Sequence, residues 1–247
     1  MTVKVLVLRS PGTNCDEETA FALEMQGAQV EKLHVNALIK NPGKLDEVQI
    51  LAIPGGFSFG DDIASGKLLA NKLSLSLEQR MQDFVKEGKL VLGICNGFQV
   101  LVKSRILPGF DAIDSIQQAT LTYNDSAKFE DRWVNLKKVS NKCIFTKEID
   151  SLEAPVRHGE GKFVATNQVI EKLIQNDQIA FKYAGEKGEE NPGYPQNPNG
   201  STQDIAGICN KDGNVLGMMP HPERVISPLL GGADGATFFK GVAEALG

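Results

Sequence analysis

The chain has 247 residues, 41% of them hydrophobic, which suits one large α/β domain over 1–247 better than two small ones. Its 26 Lys and Arg against 31 Asp and Glu leave a net charge of −5, and no basic stripe interleaved with aromatics argues for nucleic-acid binding. Cys15, Cys95, Cys143 and Cys209 are scattered without a C-x-x-C pair, so neither a metal site nor a disulfide framework is suggested, and a reducing cytoplasm fits.

The first element is the run Val3 to Leu8, read as a strand; it is too short for a signal-peptide core and carries Lys4. No apolar run approaches membrane-spanning length, so a soluble protein is expected. Asp16–Gln26 suits a helix ended by Gly27, and strands follow at 29–35, with His34 an ordinary strand-end residue, and at 48–53. Leu77–Lys86 reads as a helix ended by Gly88, then comes a strand at 89–94 and a helix from Phe98 to Lys103. Strand and helix alternate, which predicts a doubly wound, mostly parallel sheet with helices on both faces and ligands at the carboxyl ends of its strands. From about 110 to 200 the pattern is irregular. Gln117–Tyr123 and Trp133–Lys138 look like antiparallel strands, followed by a loop rich in Gly, Pro and Asn. Late strands at Gln178–Tyr183, Asp204–Cys209 and Val215–Met219 precede a C-terminal helix around 235–245, with no internal repeat and no linker that would split the chain.

Chemistry concentrates where strands end. Gly93-Ile94-Cys95-Asn96-Gly97 delivers a cysteine from an apolar strand into a glycine-flanked turn, a nucleophile elbow whose following helix aims backbone N–H groups at the sulfur. A thiol nucleophile needs a base and the base an orienting group, and His221-Pro222-Glu223 can supply both. The residue before a proline is pushed to extended geometry, where side chains two apart share a face, so Glu223 can hold the His221 ring. Ile53 to Asp62 is glycine-rich and follows a strand directly. The Gly56 and Asn96 N–H groups could form an oxyanion hole there, although Pro54-Gly55-Gly56 is by itself also an ordinary turn, and no Gly-Lys-Ser/Thr follows to make it a phosphate cradle. Gln99 lies one helical turn after Cys95, as a substrate contact or as an ordinary packed or exposed residue. Cys15, Cys143 and Cys209 read as structural thiols, and the loops at 158–161 and 197–201 as polar turns.

In order along the chain, Pro54-Gly55-Gly56, Gly93 to Gln99 and His221-Pro222-Glu223 resemble the class I, or triad, glutamine amidotransferases, whose fold is flavodoxin-like. Within that class the resemblance is to the glutaminase subunits of phosphoribosylformylglycinamidine synthase. It is carried by Pro11–Asp16, Gly55–Asp61, His158-Gly159-Glu160-Gly161, Asn197–Ser201 and Gly217–Arg224, and covers residues 3 to about 240. It implies Cys95, His221 and Glu223 as catalytic residues, Gly56 and Asn96 as oxyanion donors, and Gln99, Phe57, His158 and Gly159 in the glutamine pocket, with no metal. Arg157 stands where a small residue is expected, and 124–150 look longer than in compact members; both bear on loop contacts rather than chemistry. The implied partners are L-glutamine, a separate synthetase subunit that carries ATP and magnesium, and a small third subunit, since neither a Walker loop nor a kinase-type glycine loop is present here. The rival readings are an amidotransferase for another synthetase, such as one for GMP or anthranilate, a non-catalytic regulatory partner, and a cysteine-elbow protein of the stress-chaperone or peptidase type. The last of these lacks a late His-Pro-Glu, and the intact triad argues against the regulatory partner.

Overall fold

A computed structural model describes residues 2–244; Met1 and residues 245–247, which the 1–247 domain includes, lie outside the described residues, as does the last residue of the helix expected at 235–245. The first half runs β1 (Lys4–Arg9), α1 (Asp16–Glu24), β2 (Gln29–His34), α2 (Val35–Lys40), β3 (Ile50–Ile53), α3 (Lys67–Ser76), α4 (Glu78–Lys86), β4 (Leu90–Ile94) and α5 (Asn96–Lys103). The second runs β5 (Ala119–Thr122), β6 (Glu130–Lys138), β7 (Ser151–His158), β8 (Lys162–Ala165), α6 (Asn167–Gln175), β9 (Ile179–Ala184), β10 (Ile205–Cys209), β11 (Val215–Met218) and α7 (Asp234–Glu244).

Nine strands form one sheet in the order β2-β1-β3-β4-β11-β10-β9-β6-β7. From β2 to β11 every pairing is parallel, and from β11 to β7 every pairing is antiparallel, so only β10 and β6 run against the rest. The sheet is thus mixed but mostly parallel, as the alternation predicts. β3 and β4, ILAI and LVLGI, are buried at every position, the pattern of strands covered on both faces. β7 instead alternates exposed and buried residues and carries Pro155, which an edge strand tolerates because the missing N–H costs no ladder bond on its free side. α5 packs on β4, β11 and α3, and α7 packs on α1 and β7.

Three parts differ from the sequence expectation. β5 does not join β6: it pairs with β8 in a separate two-stranded sheet, while β6 lies between β9 and β7. α2, α3 and α6 stand where no helix is named, and β7 and β8 where no strand is. And His34 does more than end a strand, because its Nδ1 accepts the Asn36 backbone N–H at 3.1 Å and so caps α2.

Candidate active site

The carboxyl ends of β1, β3, β4, β7 and β11 converge on one cavity of about 260 Å³, lined among others by Gly56, Phe57, Cys95, Arg157 and His221. Cys95 sits between β4 and α5 with φ 50° and ψ −104°, a left-handed conformation that a side chain rarely takes and that costs on the order of 1–3 kcal/mol. The strain is held by packing. A Cβ on Gly97 would lie 1.8 Å from the Ile53 carbonyl oxygen, and one on Gly93 2.8 Å from Gly97, so the turn closes only with glycine at both places. The Cys95 N–H donates to the Met218 carbonyl at 2.8 Å, pinning the elbow to the end of β11.

That same strand end delivers His221, whose backbone N–H donates to the Pro155 carbonyl of β7 at 2.9 Å. With φ −106° and ψ 86°, His221 is non-helical but falls short of the extended geometry expected before a proline. Its Nδ1 lies 2.6 Å from Glu223 Oε1, and both side chains are buried. Burial opposes a charge on the ring, but the Glu223 carboxylate, with Cys95 and Cys15 beside it, outweighs burial and raises the His221 pKa well above the usual histidine value. Among the described residues His221 Nε2 has no hydrogen-bond partner. The pair therefore offers an oriented imidazole with its far nitrogen free for proton transfer.

The expected oxyanion donors lie on the two flanking turns. Gly56, at φ 136°, is held against Thr13 in an isolated bridge, with the Phe57 N–H on the Gly12 carbonyl at 2.8 Å. Asn96 begins α5; its side chain takes the Ser58 N–H at 3.2 Å and donates to Asp61 at 2.9 Å and to Gln99 Oε1 at 3.0 Å. Asp61 also receives the Ser65 hydroxyl at 2.9 Å and the Gly66 N–H at 3.2 Å, so it ties the glycine-rich loop to the elbow.

The other expected pocket residues divide. Phe57 stands at the cavity rim, half exposed and stacked on Phe129 at 6.5 Å. Gln99 is buried, and its amide is engaged by Asn96 and by the Glu160 carbonyl, away from the cavity lining. His158 is buried too, with Nδ1 3.2 Å from Asn124 Oδ1, an oxygen that also accepts the Gly161 N–H. Burial, and then the charge of His221, push its pKa down to about 3, so it is a neutral ring. Gly159 contributes a carbonyl to the Asn124 N–H at 3.0 Å. Arg157 reaches away to Asp131 at 3.0 Å, while its carbonyl lies 3.7 Å from the Cys95 sulfur.

Cys15 departs from its expectation. It stands just before α1 inside the same cavity, with Sγ 4.0 Å from His221 Nδ1, and Arg224 Nη2 donates to that sulfur at 3.3 Å. Both residues lie within the stretches that carry the family resemblance, and that was the available signal; nothing in the spacing of a lone cysteine 80 residues before the elbow points to the site. Cys143 and Cys209 are buried elsewhere, the latter in β10. Among the described residues no helix is long and apolar enough to cross a membrane.

A CobB/CobQ-like glutamine amidotransferase domain matches residues 2–231. The phosphoribosylformylglycinamidine synthase subunit PurQ of Dehalococcoides mccartyi is 46% identical over 225 residues, covering 91% of this chain and 86% of that one. The protein of the same name from Archaeoglobus fulgidus is 42% identical, covering 99% and 97%. Among solved structures, a chain of PurLQS from Thermotoga maritima superposes over the whole of both chains with a TM-score of 0.79 at 31% identity.

Proposed function

The chain belongs to the CobB/CobQ-like glutamine amidotransferases, in the branch of phosphoribosylformylglycinamidine synthase subunit PurQ, and from that premise we propose that it is the glutaminase subunit of that synthase. It hydrolyses glutamine to glutamate and ammonia, and passes the ammonia to a separate ATP-dependent synthetase subunit in purine biosynthesis. The observation that carries the reading is the buried 2.6 Å contact of His221 Nδ1 with Glu223, set in one cavity with the strained Cys95.

The Cys95 thiolate attacks the side-chain carboxamide carbon of glutamine. The carbonyl oxygen takes the negative charge and is met by the Gly56 and Asn96 N–H groups, the electrostatic contribution that acyl transfer depends on most. His221, charged and held by Glu223, protonates the departing ammonia through Nε2, and then deprotonates the water that cleaves the glutamyl thioester. Phe57 closes the rim; Gln99, His158 and Gly159 support the pocket from behind through Asn96, Asn124 and Glu160. The whole chain, 1–247, acts as one glutaminase domain in the cytoplasm. It needs no metal or cofactor of its own, ATP and magnesium being bound by the synthetase subunit, and a small third subunit completes the assembly, as the PurLQS name of the Thermotoga maritima structure supports.

The test is the reconstituted complex with formylglycinamide ribonucleotide and ATP, supplied with glutamine or with an ammonium salt. Cys95→Ala should lower glutamine-dependent product by roughly three or more orders of magnitude and leave ammonium-dependent product at the wild-type rate. Equal loss of both with normal assembly would refute the division of labour.

A further inference from the structure

We propose that Cys15, His221 and Glu223 form a binding site for a borderline-soft divalent cation of the zinc class, whose occupation switches the glutaminase off from the side of the imidazole opposite its proton-transfer nitrogen. The inactivation rests on the glutaminase reading above; the binding does not.

The donor set is sulfur, imidazole nitrogen and carboxylate oxygen, the chemistry that selects zinc-class ions over magnesium. One ligand atom from each residue lies within 4.8 Å of the others, and all three residues are buried. Cys15 Sγ is 4.0 Å from His221 Nδ1, and Nδ1 is 2.6 Å from Glu223 Oε1. Zinc bond lengths in a tetrahedral site place neighbouring donors about 3.3–3.6 Å apart. The sulfur side therefore closes by about half an ångström and the carboxylate side opens by less than about one, which side-chain rotation supplies. Glu223 offers a second acceptor as well, since among the described residues its Oε2 is buried without a hydrogen-bond partner.

The surroundings suit a ligating thiolate. Arg224 Nη2 donates to the Cys15 sulfur at 3.3 Å, as an outer-shell donor to a metal-bound sulfur does, and its own charge is matched by Glu18 at 3.2 Å. Cys15 and His221 both line the open cavity, which gives the ion its path. Binding releases the Cys15 thiol proton and the Nδ1 proton to solvent. A metal on Nδ1 displaces Glu223 from the ring and leaves a neutral imidazole whose proton sits on Nε2. That ring can neither accept a proton from water nor hold the charge that protonates ammonia, so the block is not relieved by more glutamine.

The experiment titrates the metal-free full-length chain with cobalt(II), whose thiolate-to-metal absorption reports sulfur ligation, and then displaces it with zinc. Wild type and Cys95→Ala should each bind one ion with the thiolate band. Cys15→Ala should lose the band and weaken zinc binding about a hundredfold or more, with Cys15→Ser, nearly isosteric, read beside it for an unchanged melting curve. Magnesium should not compete, and zinc inhibition of the wild-type glutaminase should persist at saturating glutamine. The proposal falls if Cys95→Ala abolishes the band, which would put the ion on the other thiol, or if a Cys15→Ser chain with wild-type melting binds zinc as wild type does. Loss of glutaminase activity without any metal effect would bear on the catalytic reading alone.

Discussion

Replacing Gly55 by Ala tests how closely the chemistry depends on the position of one ring. Gly55 lies outside the left-handed region, so alanine brings no backbone strain. Its new Cβ, however, would stand 2.7 Å from His221 Cε1, 3.3 Å from Cys15 Sγ and 3.4 Å from Cys95 Cβ. Carbon atoms rest at about 3.5–4.0 Å, so the imidazole must retreat by roughly 1 Å while its Nδ1 is tethered to Glu223. A misplacement of that size costs on the order of a hundredfold in a positioned reaction. The open cavity beside the ring takes up the shift, so the melting temperature should change by no more than about 5 °C. The assay is steady-state glutamine hydrolysis by the complex together with ammonium-dependent synthesis, which should be untouched. Gly97→Ala is the contrast: its Cβ meets the Ile53 carbonyl at 1.8 Å, backbone against backbone, and fold and activity should fail together. Gly55→Ala with full glutamine turnover would show that His221 need not stand where the structure places it.

His221→Asn should depress glutamine hydrolysis as severely as loss of the Cys95 sulfur, because one ring serves both proton transfers; near-normal turnover removes it from the mechanism. Glu223→Gln keeps a hydrogen bond to the ring but loses the charge that raises its pKa, so a loss of about tens to hundreds-fold is expected, with the pH profile of kcat/KM displaced. His158 makes a prediction about stability. Its folded pKa of about 3 lies below the unfolded value, so between about pH 6.5 and 3 the unfolded chain binds a proton that the native chain refuses, and stability falls with acidification by about 1.4 kcal/mol per pH unit. His221, raised instead, is protonated in both states below about pH 6.5 and adds no slope there; its contribution fades only as pH climbs through its folded pKa. Urea denaturation of His158→Gln against wild type from pH 7 to pH 4 should show a shallower acid limb in the variant, and parallel curves would refute the assignment.

The centre of the parallel half is legible because β3 and β4 are covered on both faces and read as unbroken apolar runs, each within two residues of its expected start. β7 is hidden by its own function as an edge. Pro155 stands in the middle of its run, and a proline reads as a strand breaker except at an edge. The pairing of β5 with β8 depends on residues 40 or more apart, and no local pattern specifies it. At the site, Cys95, His221 and Glu223 are visible because elbow chemistry and a proline-fixed dyad leave marks in a few residues. Gln99 shows the limit of such marks: helical spacing sets it one turn from Cys95 on α5, but says nothing of Glu160, whose carbonyl takes its amide.

The position of β11 between β4 and β10 bears on the order in which a ribosome delivers the site. A nascent chain that has emerged as far as residue 200 holds the sulfur of Cys95 but lacks the Met218 carbonyl that pins the elbow, the imidazole and its carboxylate. On the proposed mechanism it cannot release ammonia until residues 221–223 follow the last strand. Until then β4, a fully apolar strand, has an open edge where residues 215–218 will later lie, and such an edge invites pairing with another chain. Synthesis thus passes through a stage that is silent as an enzyme and most exposed to aggregation; β11 closes the edge, and His221 and Glu223 follow it within five residues.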